Sequence, residues 1–160
     1  MTVRRATPAD VPAMVQLVYD LAEYEKLRSE CTLNAEQLHE ALFGPAPALF
    51  AHVAVHADTV VGIAIWFRNF STWTGVHGIY LEDLYVSPAA RGKGFGAGLL
   101  SALARECVEH GYPRLEWSVL TWNTPAIEFY RGLGALPQDE WTGYRLTGAA
   151  LTKLGSPTNG

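Results

Sequence analysis

Apolar residues recur with a helical period at Val11, Met14, Val15, Leu17, Val18, Leu21 and Ala22, one stripe of an amphipathic helix. Thr7-Pro8-Ala9-Asp10 stands in front of it. It offers a capping hydroxyl, a proline at the first helical position and an acid three residues after the cap. The stripe runs out between Glu25 and Leu27. Asn34-Ala35-Glu36-Gln37 opens a second helix by the same logic, and Phe43-Gly44-Pro45 stops it. Apolar-rich stretches at residues 49–57 and 60–70, joined by Asp58-Thr59, read as a β-hairpin. A strand over residues 77–86 follows a loop that holds Trp73. If it pairs with the strand before it, three antiparallel strands stand side by side. Residues 96–110 carry Leu99, Leu100, Leu103, Ala104, Cys107 and Val108 on one helical face, closed by Gly111. Residues 115–120 alternate as a strand, and the strand–helix–strand order predicts a parallel crossover. Thr124-Pro125 opens a fourth helix through Ile127, Phe129, Tyr130 and Leu133. Short strands at residues 3–6, 135–136 and 141–146, and a terminal turn at 149–154, complete the pattern. One domain over residues 1–154 is expected, with a disordered tail at 155–160.

The chemistry gathers where the strand at residues 77–86 runs into the long helix. The stretch reads Tyr80-Leu81-Glu82-Asp83-Leu84-Tyr85-Val86-Ser87-Pro88-Ala89-Ala90-Arg91-Gly92-Lys93-Gly94-Phe95-Gly96. Three alternate glycines at a helix start cost backbone entropy. Close approach of the backbone to an anion supplies the reason, since N–H groups there and the helix dipole hold phosphate. The loose match to a dinucleotide fingerprint sits among antiparallel strands, and the order of a Walker A loop is missing. Glu82 and Asp83 are neighbours on a strand, so at most one faces a given cleft unless a bulge rotates them. The competing reading is a backbone cap and a solvated acid. Tyr130 alone reads equally as a core tyrosine with its hydroxyl bonded. Trp73 reads as a lid on the core or a wall for substrate.

Composition narrows the partners only a little. The formal charge is −4 over 160 residues, which argues mildly against nucleic acid and acidic membrane surfaces and suits a cationic substrate. Cys31 and Cys107 stand far apart and in no metal-like spacing, and no His-Glu-x-x-His occurs, so no metal is expected. No long apolar run and no signal-like start is present, which makes a cytoplasmic protein with no membrane partner the expectation.

Together these residues resemble the GNAT N-acetyltransferases. Arg91, Gly94 and Gly96 fill the family's coenzyme A loop, and Asn123 with Phe129-Tyr130 fills its second motif. Leu21-Ala22-Glu23-Tyr24-Glu25, Ser71-Thr72-Trp73, Tyr80-Leu81-Glu82-Asp83 and Trp122-Asn123 are similar to the spermidine/spermine (diamine) and thialysine branch. The resemblance implies an α/β (α+β) fold with a mixed, mostly antiparallel, V-shaped sheet and helices on both faces. Acetyl-CoA would lie in the split between the two parallel strands. By the same resemblance, Leu84, Tyr85 and Val86 take the thioester arm. Arg91, Gly92, Lys93, Gly94, Phe95 and Gly96 take the pyrophosphate, and Asn123 positions the cofactor. Tyr130 protonates the departing thiolate and Glu82 is the base, through water. Tyr24, Glu25, Trp73, Glu82 and Asp83 line the amine site. A homodimer is implied as well.

The chemistry agrees with that assignment. An amine of pKa about 10.4 spends roughly 4–5 kcal/mol to be neutral near pH 7, so a base or desolvation must offset it. The expected reaction is acetyl transfer to a primary amine of a small diamine, polyamine or lysine-like amino acid. Acetylation of a protein lysine or N-terminus, and non-catalytic sensing of acyl-CoA, are the alternatives. Asp139-Glu140 precedes Trp141-Thr142-Gly143, a displaced version of the polyamine enzymes' acidic pair. Lys26 and Arg28 stand where a polycation would prefer acid. Both departures favour a small diamine or an amino-acid side chain over spermine.

Overall fold

The structure, a computed structural model, describes residues 2–157, in two units that divide after Leu120. The first unit is built on a sheet in simple sequential order: β1 (Thr2–Arg5), β2 (Phe50–His56), β3 (Thr59–Ser71), β4 (Val76–Val86) and β5 (Leu115–Glu116). The first three pairings are antiparallel and the β4–β5 pairing is parallel, because α3 (Phe95–His110) makes the crossover between them.

Both faces carry helices. α1 (Val11–Tyr24) and α2 (Ala35–Phe43) bury Val11, Met14, Leu17, Leu38 and Leu42 against Ala51, Val53, Ile63, Ile65 and Tyr85. α3 buries Leu99, Leu100, Leu103 and Cys107 and lies on the opposite face. There a side chain at Gly62 would meet Leu99 Cδ1 at 3.2 Å and Ala54 Cβ at 3.3 Å, so the glycine permits the close approach of helix to sheet. Each fully buried leucine contributes about 1.5–3 kcal/mol.

The local signals act as read, with shifts at the ends. Asn34 Oδ1 accepts from Gln37 N–H at 2.8 Å while Gln37 Oε1 accepts from Asn34 N–H at 3.0 Å, a reciprocal cap on α2. Pro8–Asp10 forms a tighter 3-10 turn before α1 instead of its first turn. The buried Asp10 there takes a two-pronged bond from Arg4 at 2.7 and 3.0 Å.

The second unit holds α4 (Thr124–Gly132) and α5 (Gly148–Gly155). The strands expected at residues 135–136 and 141–146 do not form. Alternation names the faces of a strand but supplies no partner for its hydrogen bonds. The terminal turn expected at 149–154 is the helix α5, which takes in the first residue of the expected tail, Gly155. Residues 158–160 of that tail lie outside the described residues. In the first unit, the strand expected at 115–120 shortens to Leu115–Glu116.

Candidate active site

One extra residue in β4 organises the site. The β3–β4 register pairs Trp66 with Leu81 but Ile65 with Asp83, so Glu82 is the bulged residue. Up to the bulge, alternate N–H groups reach β5, as Ile79 N–H does by donating to the Arg114 carbonyl at 3.0 Å. Past it, Ser87 N–H donates to the Val61 carbonyl of β3 at 2.8 Å, so Asp83 and Tyr85 turn their backbone to β3. Leu84 and Val86 therefore present N–H and C=O to the other edge. β5 does not cover that edge, since its pairing ends at Tyr80↔Glu116.

The same bulge moves side chains. An unbroken alternation would put Asp83 on the face of Leu81. Instead Asp83 opposes Ile65 and shares a face with Tyr85, which opposes Ile63. That is the face packed by α1, whose last turn leads into Glu25. Burial, then the neighbouring charges of Glu82 and Glu25, push the Asp83 carboxyl up to about 6. Burial also raises Glu25. Both neighbouring charges that raise the half-buried Asp83 carboxyl are negative. Such a cluster is suited to a ligand that brings its own positive charge.

The turn after β4 has the geometry of an anion cradle. Pro88–Ala90 forms a 3-10 turn, and Gly92 and Gly94 take the left-handed conformation with φ of 77° and 84°. A Cβ at either glycine would meet nothing within 4 Å, which leaves room for a ligand against the backbone. Gly94 caps α3, so the N–H groups of Phe95 and Gly96 in its first turn have no partner within the helix. Arg91 Nε donates to the Val86 carbonyl at 3.0 Å. Its guanidinium carbon lies 5.4 Å from the Tyr24 ring centre and 5.3 Å from that of Tyr85. Lys93 is exposed on the loop. These features fit a cofactor with a pyrophosphate and an extended amide-bearing arm: N–H donors for the one, an open strand edge for the other.

The first unit thus brings together Tyr24, Glu25, Glu82, Asp83, Tyr85 and Arg91, with the open edge at Leu84 and Val86. It does not bring Trp73 to the acids. The β3–β4 hairpin continues past the last β2 pair, Phe50↔Trp66, to Ser71↔Val76, and Trp73 stands at its tip, 91% exposed. Seven strand residues separate Val76 from Asp83, about 23 Å at strand spacing. In the second unit, Asn123 is buried and its Oδ1 accepts from Ala126 N–H at 3.4 Å, capping α4. Tyr130 lies on α4 with its ring 5.6 Å from that of Phe129. The sequence left the bulge open as one alternative at Glu82 and Asp83, and the β3–β4 register settles it.

Residues 14–135 match the model of the acetyltransferase (GNAT) family. Thialysine N-epsilon-acetyltransferase of Bos taurus is 34% identical over 163 aligned positions, covering 95% of each chain. L-ornithine N5-acetyltransferase NATA1 of Arabidopsis thaliana is 30% identical over 95% of this chain and 86% of its own. Among solved structures, the integron cassette protein VCH_CASS6 of V. cholerae superposes with a TM-score of 0.82 and 28% identity, covering 98% of each chain.

Proposed function

The chain belongs to the GNAT acetyltransferase family, and from that premise we propose that it transfers the acetyl group of acetyl-CoA to a primary amine of a small diamine or lysine-like amino acid. The observation that carries the substrate class is the trio Glu25, Glu82 and Asp83, three acids brought together by the end of α1 and the bulge of β4. A substrate ammonium offsets their charge. The names of the relatives, which act on thialysine and ornithine, support the same class.

Bound acetyl-CoA supplies an acyl group activated as a thioester. The turn at residues 91–96 would hold its pyrophosphate through backbone N–H groups, and the open edge at Leu84 and Val86 would hold its arm. The amine arrives as a cation, is held by Glu25 and Asp83, and loses a proton to Glu82 through water. The N–H of Leu84 meets the negative charge that develops on the carbonyl oxygen as the amine attacks, a term worth about 3–4 kcal/mol in comparable sites. As the amine's bond to the carbonyl carbon forms, the carbon–sulfur bond breaks and the thiolate leaves; by family resemblance Tyr130 would be the acid that protonates it, and Asn123 caps the helix that carries Tyr130.

A thiol-release screen of the purified protein tests this reading, with acetyl-CoA against diamines, polyamines, lysine, ornithine and lysine-bearing peptides. Release with small amines and not with peptides is the expected result. Release with peptides alone overturns the substrate class, and release with none overturns the reaction. Glu82→Gln is expected to lose rate most near neutral pH and to regain it at high pH, where the amine is already neutral. A uniform loss assigns Glu82 to positioning instead.

A further inference from the structure

Arg91 fills the arginine place of the cofactor loop, yet its side chain is committed elsewhere. Its Nε is bonded to the Val86 carbonyl, and its guanidinium carbon lies 5.4 and 5.3 Å from the ring centres of Tyr24 and Tyr85. It also interacts with the Tyr85 hydroxyl. These partners come from two elements, the end of α1 and the end of β4. Tyr24 is the last residue of α1, and Glu25 follows as the residue that closes the helix. Arg91 therefore ties down the one turn of chain that carries an acid to Asp83. The charges that raise the Asp83 carboxyl are those of Glu82 and Glu25. Meanwhile the left-handed glycines at 92 and 94 leave the backbone N–H groups of the turn as donors for a phosphate.

We propose that the Arg91 side chain is a positioning residue for the amine site, clamping Tyr24 and thereby Glu25 against β4, and is not a phosphate ligand. The proposal rests on the acetyltransferase reading and deepens it. It divides one motif in two: the backbone of the turn serves the cofactor, and the first side chain of the turn serves the acceptor. Stacking on two rings demands a planar cation, which lysine does not supply.

The test uses the full chain. Acetyl-CoA affinity is measured by calorimetry, and KM is measured for the best amine of the screen, in the wild type, Arg91→Gln, Arg91→Lys, Tyr24→Leu and the Arg91→Gln/Tyr24→Leu double variant. Arg91→Gln is expected to raise the amine KM about tenfold, with the acetyl-CoA Kd within about twofold of the wild type. Tyr24→Leu should do the same, and the double variant should be little worse than either alone, because both break one clamp. Arg91→Lys keeps the charge but not the plane, should resemble Arg91→Gln, and carries the comparison if the glutamine variant melts early. Weaker acetyl-CoA binding in the Arg91 variants, with or without a change in amine KM, overturns the proposal, as does no change in either. A wild type that binds no acetyl-CoA or acetylates no amine overturns the functional reading instead, and that result appears before any variant is made.

Discussion

Asp83 is kept at a cost to stability. Its carboxyl is pushed up to about 6 from 3.8 by burial and by two other acids. The unfolded chain releases this proton first as pH rises, so stability falls between about pH 4 and 6 and stays lower above. The shift corresponds to roughly 2–3 kcal/mol. Asp83→Asn is therefore expected to raise the melting temperature at pH 8 while raising the amine KM by tenfold or more. Thermal melts and steady-state kinetics on one preparation check both halves, and a variant that is less stable at pH 8 contradicts the first. Tyr130 makes a contrasting case. Tyr130→Phe should lower turnover and leave acetyl-CoA affinity unchanged, as read by calorimetry; unaltered turnover removes Tyr130 from the acid role.

At the level of elements, what was legible in the residues was whatever local chemistry decides. The Asn34–Gln37 cap and the glycine stop at Gly111 stand where the pattern places them, and Leu99, Leu100, Leu103 and Cys107 of the α3 stripe are buried, while Ala104 and Val108 of the same stripe are exposed because the sheet covers a narrower face than the pattern marks. Elements that depend on a distant partner fared worse. Residues 115–120 alternate throughout, but only Leu115 and Glu116 find β4. The turn at residues 91–96 was legible as an open, left-handed start to α3 because glycine has few other reasons to recur there. Gly94→Ala should lose about 1 kcal/mol of stability, since its φ of 84° is left-handed. It should weaken acetyl-CoA binding well beyond that, because the new methyl enters the space beside the backbone where phosphate would lie. A chemical melt paired with calorimetry separates the two effects.

Across the first unit as a whole, two buried groups oppose each other in acid. His52 Nδ1 accepts from the Trp66 indole N–H at 3.2 Å, and burial, with the charge of Arg5, lowers its pKa from 6.5 to about 4. The unfolded chain gains that proton first as pH falls, so His52 removes roughly 3 kcal/mol between about pH 6.5 and 4. Asp83 restores a similar amount over much of the same interval. The wild type should therefore show a shallow pH dependence of stability from 4 to 6. Asp83→Asn should steepen the fall towards acid, and His52→Gln should reverse it. Denaturant titrations at half-unit steps of pH test this, and parallel curves for all three proteins would refute it. The bulge at Glu82 has a consequence for heredity as well as for geometry. It shifts the phase of a strand, as an inserted letter shifts a reading frame. A substitution can change the acid at that place but leaves the count of residues intact, so the amides of Leu84 and Val86 stay turned to the open edge. Only loss of a residue resets the phase. The open edge is thus insulated from point mutation while the side chains around it remain free to vary, and under the proposed function one scaffold could change acceptors without losing its donor.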